Sequence, residues 1–301
     1  MLQAIIDIGS NTLRMVVYRI ADGRAEQIMK KKHLVGLAAF LKNGVMQQEG
    51  IERVCEVLGE YNRFLQSFHI DRVAAFTTAA LRNAKNSREA VDEIIRRTGI
   101  DLRVISGDEE AEYDFIGATH TLPDKDGLLV DIGGASTEIV CYTDGKINTQ
   151  TSLLIGSLSL HSQFGSGILP TGDEIATMQQ EAAEIIGSTE GLFDIRHAHI
   201  CGIGGTFKGG CALYNKFFGR EKKNCIIEAA RLQELIDCYR ADRDISEPQL
   251  INLLAACADR LHTIIPGLII ADAIARRFGS SQITYSDSGV REGYIYKELL
   301  R

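Results

Sequence analysis

Leu128-Leu129-Val130-Asp131-Ile132-Gly133-Gly134-Ala135-Ser136-Thr137-Glu138-Ile139-Val140-Cys141-Tyr142 repeats, 124 residues later, the pattern of Ala4-Ile5-Ile6-Asp7-Ile8-Gly9-Ser10-Asn11-Thr12-Leu13-Arg14-Met15-Val16-Val17-Tyr18. Each stretch is an apolar run, an aspartate, a turn of small residues and a second apolar run ending in tyrosine. That pattern predicts two strands joined by a tight turn. Its recurrence about one domain length later predicts a duplicated α/β protein with an interdomain cleft, its lobes expected at 1–122 and 123–301.

The stretches between agree with an α/β chain. Ile51, Val54, Cys55, Leu58, Tyr61 and Leu65 recur at helical spacing, and Asn86–Thr98 forms a second amphipathic stretch ending at Gly99. Thr171 and Glu174 stand in capping-box register ahead of a helix. Arg231–Tyr239 and Pro248–His262 read as further helices. Short strands are expected at Val73–Thr77, Leu102–Ile105, His199–Ile203 and Gln282–Tyr285.

Composition excludes several classes. The 301 residues are 45% hydrophobic and 24% charged, which is ordinary globular composition rather than disorder or coiled coil. A formal charge of −7 argues against a nucleic-acid coat. Seven cysteines without a C-x-x-C pair suit reduced thiols in a cytoplasmic protein. The apolar stretch Ile264–Ala275, interrupted by Pro266 and Asp272, is too short to span a bilayer, so no membrane role is expected.

Both Asp-Ile-Gly turns suit phosphate and metal chemistry. Successive backbone N–H groups in a small-residue turn form an anion cradle, and an aspartate at the strand end can hold a cation directly or through water. Asp131 and Glu138 flank the second turn and can share a magnesium, which favours one or two carboxylates with waters and phosphates. Gly204-Gly205-Thr206 with Lys208 follows a strand and can donate backbone N–H groups, a hydroxyl and an ammonium to phosphate. Ser106 and Glu109 stand in capping-box register. Glu110 falls outside that box, where a carboxylate can orient and deprotonate a water. Arg82 supplies a guanidinium fork suited to phosphate oxygens.

Taken in order, Ile6–Thr12, Thr77–Arg82, Ile105–Ala111, Val130–Glu138, Gly204–Thr206 with Lys208, Pro266-Gly267-Leu268 and Ser288–Gly293 resemble the exopolyphosphatase/guanosine pentaphosphate phosphatase (Ppx/GppA) family of the actin-like ATPase superfamily. The resemblance implies two actin-like, ribonuclease H-like lobes closing on a polyphosphate-bearing ligand. It implies Glu110 as the general base with Arg82 as counter-charge, and Asp131, Glu138 and Asp7 as metal-side carboxylates. It also implies phosphate loops at Gly9, Ser10 and Asn11, at Gly133, Gly134, Ser136 and Thr137, and at Gly204, Gly205 and Thr206 with Lys208. The expected reaction is magnesium-dependent (or manganese-dependent) removal of terminal phosphate from inorganic polyphosphate. Guanosine pentaphosphate is the alternative substrate, and a non-catalytic sensor of phosphorylated nucleotide the alternative class. An ATP-dependent kinase is disfavoured by Ser106-Gly107-Asp108-Glu109-Glu110-Ala111. A homodimer aligning two clefts is compatible with this reading.

Three departures from the family pattern carry expectations. Ala135 replaces a usual glycine, which would distort the loop and weaken the site if that position needed a positive φ or a close phosphate approach. Val35–Phe40 lacks a usual charged pair. Gly156–Leu160 lacks a usual arginine.

Overall fold

The computed structural model describes residues 1–120, 125–189 and 196–300. The chain divides into two compact units, Met1–Glu110 with Tyr294–Arg301, and Ala111–Gly293.

In the first unit the strands are β1 (Leu2–Ile8), β2 (Thr12–Ala21), β3 (Arg24–Leu34), the short hairpin β4 (Leu41–Lys42) and β5 (Val45–Met46), β6 (Val73–Thr77) and β7 (Leu102–Val104). Its helices are α1 (Gln48–Ser67), α2 (Ala79–Arg82), α3 (Ser87–Thr98) and the start of α4 (Gly107–Thr119). The main sheet has the order β3-β2-β1-β6-β7, with β1–β2–β3 antiparallel and β6 and β7 parallel to β1. Strand β1 is buried along nearly its whole length, as its unbroken apolar run requires of a strand covered on both faces. Strand β3 is an edge and carries Lys30–Lys32. Lys31 meets Glu60 at 3.2 Å, so this charge run keeps an edge strand wetted. Ile51, Val54, Leu58, Tyr61 and Leu65 of α1 all enter the core.

The second unit repeats the plan. Its strands are β8 (Gly127–Ile132), β9 (Thr137–Thr143), β10 (Lys146–Leu153), β11 (His199–Ile203), β12 (Ile226–Glu228) and β13 (Gln282–Tyr285), in the order β10-β9-β8-β11-β13-β12. Again an antiparallel meander sets its first strand beside a parallel neighbour, β11. The helices are α5 (Ser157–Phe164), α6 (Gly172–Gly187), α7 (Gly204–Phe217), α8 (Leu232–Asp237), α9 (Glu247–Cys257), α10 (Leu261–Phe278) and α11 (Val290–Tyr294). Thr171 caps α6 with Glu174 reaching back, so the expected box forms.

One expectation falls outside the described residues and another changes. The expected boundary at 122/123 lies outside the described residues, and the compact division falls instead within α4. Ala111, Phe115 and Ala118 pack on Leu129, Val140, Tyr142, Cys201 and Ile203 of the second sheet, and this apolar burial draws most of α4 into the second unit. The expected helix Pro248–His262 is two helices. Its break at Ala258–Arg260 starts α10 afresh, and α10 accommodates Pro266 internally while burying nearly all of Thr263–Ala275 in the core. Among the described residues no single helix is long and apolar enough to cross a membrane. All seven cysteines are free thiols. Burial pushes Cys201 up to about 12, which removes it as a nucleophile at neutral pH.

Candidate functional site

The two predicted turns fold alike. Gly9 N–H donates to the Thr12 carbonyl at 3.0 Å, and Gly133 N–H to the Ser136 carbonyl at 2.9 Å. Asp7 stands opposite Arg14 across one hairpin, and Asp131 opposite Glu138 across the other. The same backbone device therefore carries different chemistry. Arg14 Nη1 donates to Asp7 at 3.1 Å, compensating its charge. Asp131 faces a second acid instead.

In the first unit, Val35–Phe40 clamps the phosphate-loop candidate through backbone alone. The N–H groups of Val35 and Gly36 donate to the Asn11 carbonyl, each at 3.0 Å, and that of Ala38 to the Ser10 carbonyl at 2.9 Å. Those bonds take up the Ser10 and Asn11 carbonyls, while the Gly9 N–H is spent on the Thr12 carbonyl. Ser10 is buried, while Gly9 and Asn11 stay partly accessible.

Arg82 and Glu110 come together from elements 28 residues apart in sequence: Arg82 Nη1 donates to Glu110 Oε2 at 2.5 Å, both side chains being largely buried. Arg82 ends α2, and Glu110 sits in the first turn of α4. The predicted box forms beside it, with Ser106 N–H donating to Glu109 at 2.8 Å and Glu109 N–H to Ser106 Oγ at 3.1 Å. Glu109 is thus the capping acid, and Glu110 is held by Arg82. The Ser106 backbone bond, assisted by Arg103, lowers the Glu109 carboxyl below its ordinary range. A depressed folded value stabilises above the ordinary glutamate range and is lost as pH falls through it. Glu109→Gln, which removes the titrating acceptor of that backbone bond, is expected to lower stability at neutral pH, and less in acid. Thermal melts of both proteins at neutral and acid pH check this; an equal deficit at both would refute it.

In the second unit, the N-terminus of α5 is consumed by the loop. Ser157 N–H donates to the Gly133 carbonyl at 2.9 Å, and the Leu158 and Ser159 N–H groups to the Gly134 carbonyl at 2.9 and 2.8 Å. Gly156 makes this approach possible, since a Cβ there would collide with Gly134 and Ala135 backbone. Ala135 itself is not among the positive-φ residues, so its methyl group imposes no backbone strain of the positive-φ kind.

Three hydroxyls of the expected phosphate loops donate within the protein. Ser136 Oγ donates to Glu138 Oε1 at 2.8 Å, Thr137 Oγ1 to the Ile155 carbonyl at 2.6 Å, and Thr206 Oγ1 to the Ile132 carbonyl at 2.8 Å. Each is buried in a well-packed interior, where a hydroxyl proton must be satisfied within the protein. Lys208 is exposed and pairs with Asp287 at 2.8 Å.

Gly204 holds φ +78° where β11 enters α7, and a Cβ there would collide with the Asp131 carboxylate. No side chain caps α7, so its leading N–H groups lie beside that carboxylate's strand as an anion-binding end. Glu138 accepts a second hydroxyl, Ser152 Oγ at 2.7 Å, and so is fixed opposite Asp131. A pair of carboxylates, one of them oriented by two hydroxyls, fits a magnesium completed by water and phosphate oxygens. Among the described residues no group of three or more metal-ligating side chains gathers, so a chelating cage is not built.

Two residues were not predicted. Arg260, at the break before α10, lays its guanidinium against Gly205, where a Cβ would collide with it. It comes to the phosphate-loop candidate from 55 residues away, paired with its neighbour Asp259 at 3.2 Å, and only the helix break betrays it. Ser152 lies on edge strand β10 and gives no sequence signal beyond alternation.

A repeated sheet order, each copy opening on a hairpin with an acid-and-glycine turn, defines a two-lobed actin-like α/β protein. The model of the Ppx/GppA phosphatase family matches residues 16–301. A Haemophilus influenzae protein named "putative exopolyphosphatase" is 30% identical over 296 residues, covering 97% of this chain and 90% of that protein. The crystal structure of the Aquifex aeolicus Ppx/GppA family member is 27% identical with a TM-score of 0.76, covering 100% of this chain and 98% of that one. An exopolyphosphatase structure from Cytophaga hutchinsonii, 22% identical, shares the fold with a TM-score of 0.82 over 98% of this chain and 97% of its own. The chain belongs to the Ppx/GppA phosphatase family and is a hydrolase of that family.

Proposed function

We propose that the protein removes the terminal phosphate of inorganic polyphosphate by attack of a water that Glu110 orients and deprotonates. The observation that carries this reading is the buried Arg82–Glu110 pair beside a capping box that uses Glu109 instead. An ionised carboxylate held on a guanidinium has a fixed direction and a lone pair for a water proton. The water oxygen bonds to the terminal phosphorus, the bridging P–O bond breaks, and the products are orthophosphate and a chain shorter by one unit. Phosphoryl transfer asks mainly for positioning and charge neutralisation. The backbone N–H groups of Ser10, Asn11 and Gly134 and those of the α7 end, with Arg260, would supply these. Asp131 and Glu138 would hold a magnesium, which supplies neutralisation of phosphate oxygens when bound. Asp7, compensated by Arg14, is less suited to a metal and would instead fix the first turn.

Phosphate release from polyphosphate and from guanosine pentaphosphate, measured side by side with magnesium and then with excess chelator, tests this. Release from polyphosphate that chelator abolishes is the expected result. Release from guanosine pentaphosphate alone would transfer the reading to that substrate. Release from neither, with binding retained, would overturn it in favour of a sensor.

A further inference from the structure

Cys225 alone of the seven cysteines is exposed, and the chain folds it back onto a buried one. Cys211 lies in α7, inside the core of the second unit. After α7 the chain turns at Gly219, which holds φ +63°, and returns along the same helix to Cys225, the residue before edge strand β12. Two asparagines fasten this return. Asn215 Nδ2 donates to the Asn224 carbonyl and Asn224 Nδ2 to Asn215 Oδ1, each at 2.7 Å. The Cys211 thiol donates to the same Asn224 carbonyl, its Sγ 3.3 Å from the oxygen. The Cys211 sulfur therefore touches the peptide group that joins Asn224 to Cys225.

Strand register turns the second side chain the same way. Strand β12 pairs antiparallel with β13, Ile226 opposite Thr284 and Ile227 opposite Ile283. One step further, the Tyr285 N–H donates to the Cys225 carbonyl at 2.7 Å, which sets those two residues opposite each other. Side chains alternate along a strand, so Cys225 shares a face with Ile227, and Tyr285 with Ile283. Ile227, Ile283 and Cys211 belong to one core cluster, with Tyr285 packed against it. That is the face α7 covers. Burial, and after it the neighbouring Cys225 charge, push the Cys211 thiol up to about 11. At neutral pH Cys211 is thus a protonated thiol, and Cys225 is the sulfur that meets a dissolved oxidant.

We propose that Cys225 and Cys211 are a peroxide-sensitive pair that closes to a disulfide. The Cys225 thiolate attacks one oxygen of hydrogen peroxide; the O–O bond breaks, hydroxide leaves, and Cys225 becomes a sulfenic acid. Cys211 then attacks the Cys225 sulfur. The S–S bond forms, the S–O bond breaks, and the hydroxyl leaves with the Cys211 proton as water. The two thiols lose two electrons and the peroxide gains them. Sulfenylation also removes the Cys225 charge that opposed deprotonation of Cys211. When the Cys211 sulfur turns away, the Asn224 carbonyl keeps its Asn215 donor, so no buried acceptor is orphaned. A disulfide needs Cα atoms about 4.4–6.8 Å apart. A thiol already at its partner's peptide group leaves mainly side-chain rotation to complete the bond. Neither cysteine is among the groups assigned to phosphate release, and the proposal does not rest on that assignment.

Treatment of the reduced whole chain with hydrogen peroxide tests it, followed by alkylation of the remaining thiols in denaturant and peptide mass mapping without reductant. The expected product is a single chain about 2 Da lighter, with Cys211 and Cys225 in one linked peptide pair. Dithiothreitol is expected to restore both thiols. Cys211→Ser is expected to leave Cys225 as a sulfenic acid that dimedone labels, while the wild type loses that label as the disulfide closes. Should Cys211→Ser unfold, Cys211→Ala takes its place. Cys225 driven to sulfinic acid with Cys211 still alkylated overturns the proposal, as does a chain in which neither thiol is oxidised. So does a link from Cys225 to Cys238 or to a second copy, or dimedone labelling equal in wild type and variant.

Discussion

Glu110→Gln is expected to lower the rate of phosphate release by about 10²–10⁴-fold, the range a positioned general base contributes. The amide keeps the size of the carboxylate and still offers an oxygen to Arg82 at the position now 2.5 Å from Nη1. It cannot take a proton from water. Folding is therefore expected to survive, with a stability loss of about 1–3 kcal/mol from the weakened charge-assisted bond. A circular-dichroism melt run beside the rate measurement separates the two effects. Turnover within about tenfold of wild type in a folded variant would remove Glu110 as the base. Arg82 is a positioning residue under this reading. Its loss would leave the buried carboxylate without that guanidinium, so its variants are a poorer test than Glu110→Gln.

The second large effect is expected at Gly204. Alanine there must adopt φ +78°, which costs about 1–2 kcal/mol before any contact is considered. Its methyl group also meets the Asp131 carboxylate. Either Asp131 turns away or the start of α7 shifts, and each outcome separates the proposed metal ligand from the proposed phosphate-binding helix end. Gly204→Ala is expected to lower Tm by several degrees, about 2–4 °C per kcal/mol for a domain of this size. It is also expected to raise the magnesium concentration needed for half-maximal phosphate release. Gly145→Ala is the matched control. Gly145 has φ +69° with nothing near its Cβ position, so it carries the backbone cost and none of the site cost. Equal effects of the two substitutions on magnesium dependence would dismiss the role given to Gly204.

Much of this fold was legible because it rests on local signals. The echo between Ala4–Tyr18 and Leu128–Tyr142 is a pair of apolar strands around a glycine turn, and both turns close with the same Gly N–H bond. The Thr171–Glu174 and Ser106–Glu109 boxes are contacts over three residues, readable from residue type and spacing. The first-turn position of Glu110 follows from the second box. Helix α10 was not legible as a unit, because its internal Pro266 is a helix-breaking signal that burial of the surrounding apolar residues overrides.

The sequence by itself determined the repeat, the turns, the capping and the candidate acids, since each depends on neighbours along the chain. Tertiary structure alone decided which partner each group received. It set Glu110 on Arg82. It turned the hydroxyls of Ser136, Thr137 and Thr206 inward. It brought Arg260 to Gly205 and drew most of α4 into the second unit. These contacts join residues that are distant in the chain or on separate elements, and burial determines whether a polar atom meets protein or water. Neither property is encoded in a short stretch of sequence.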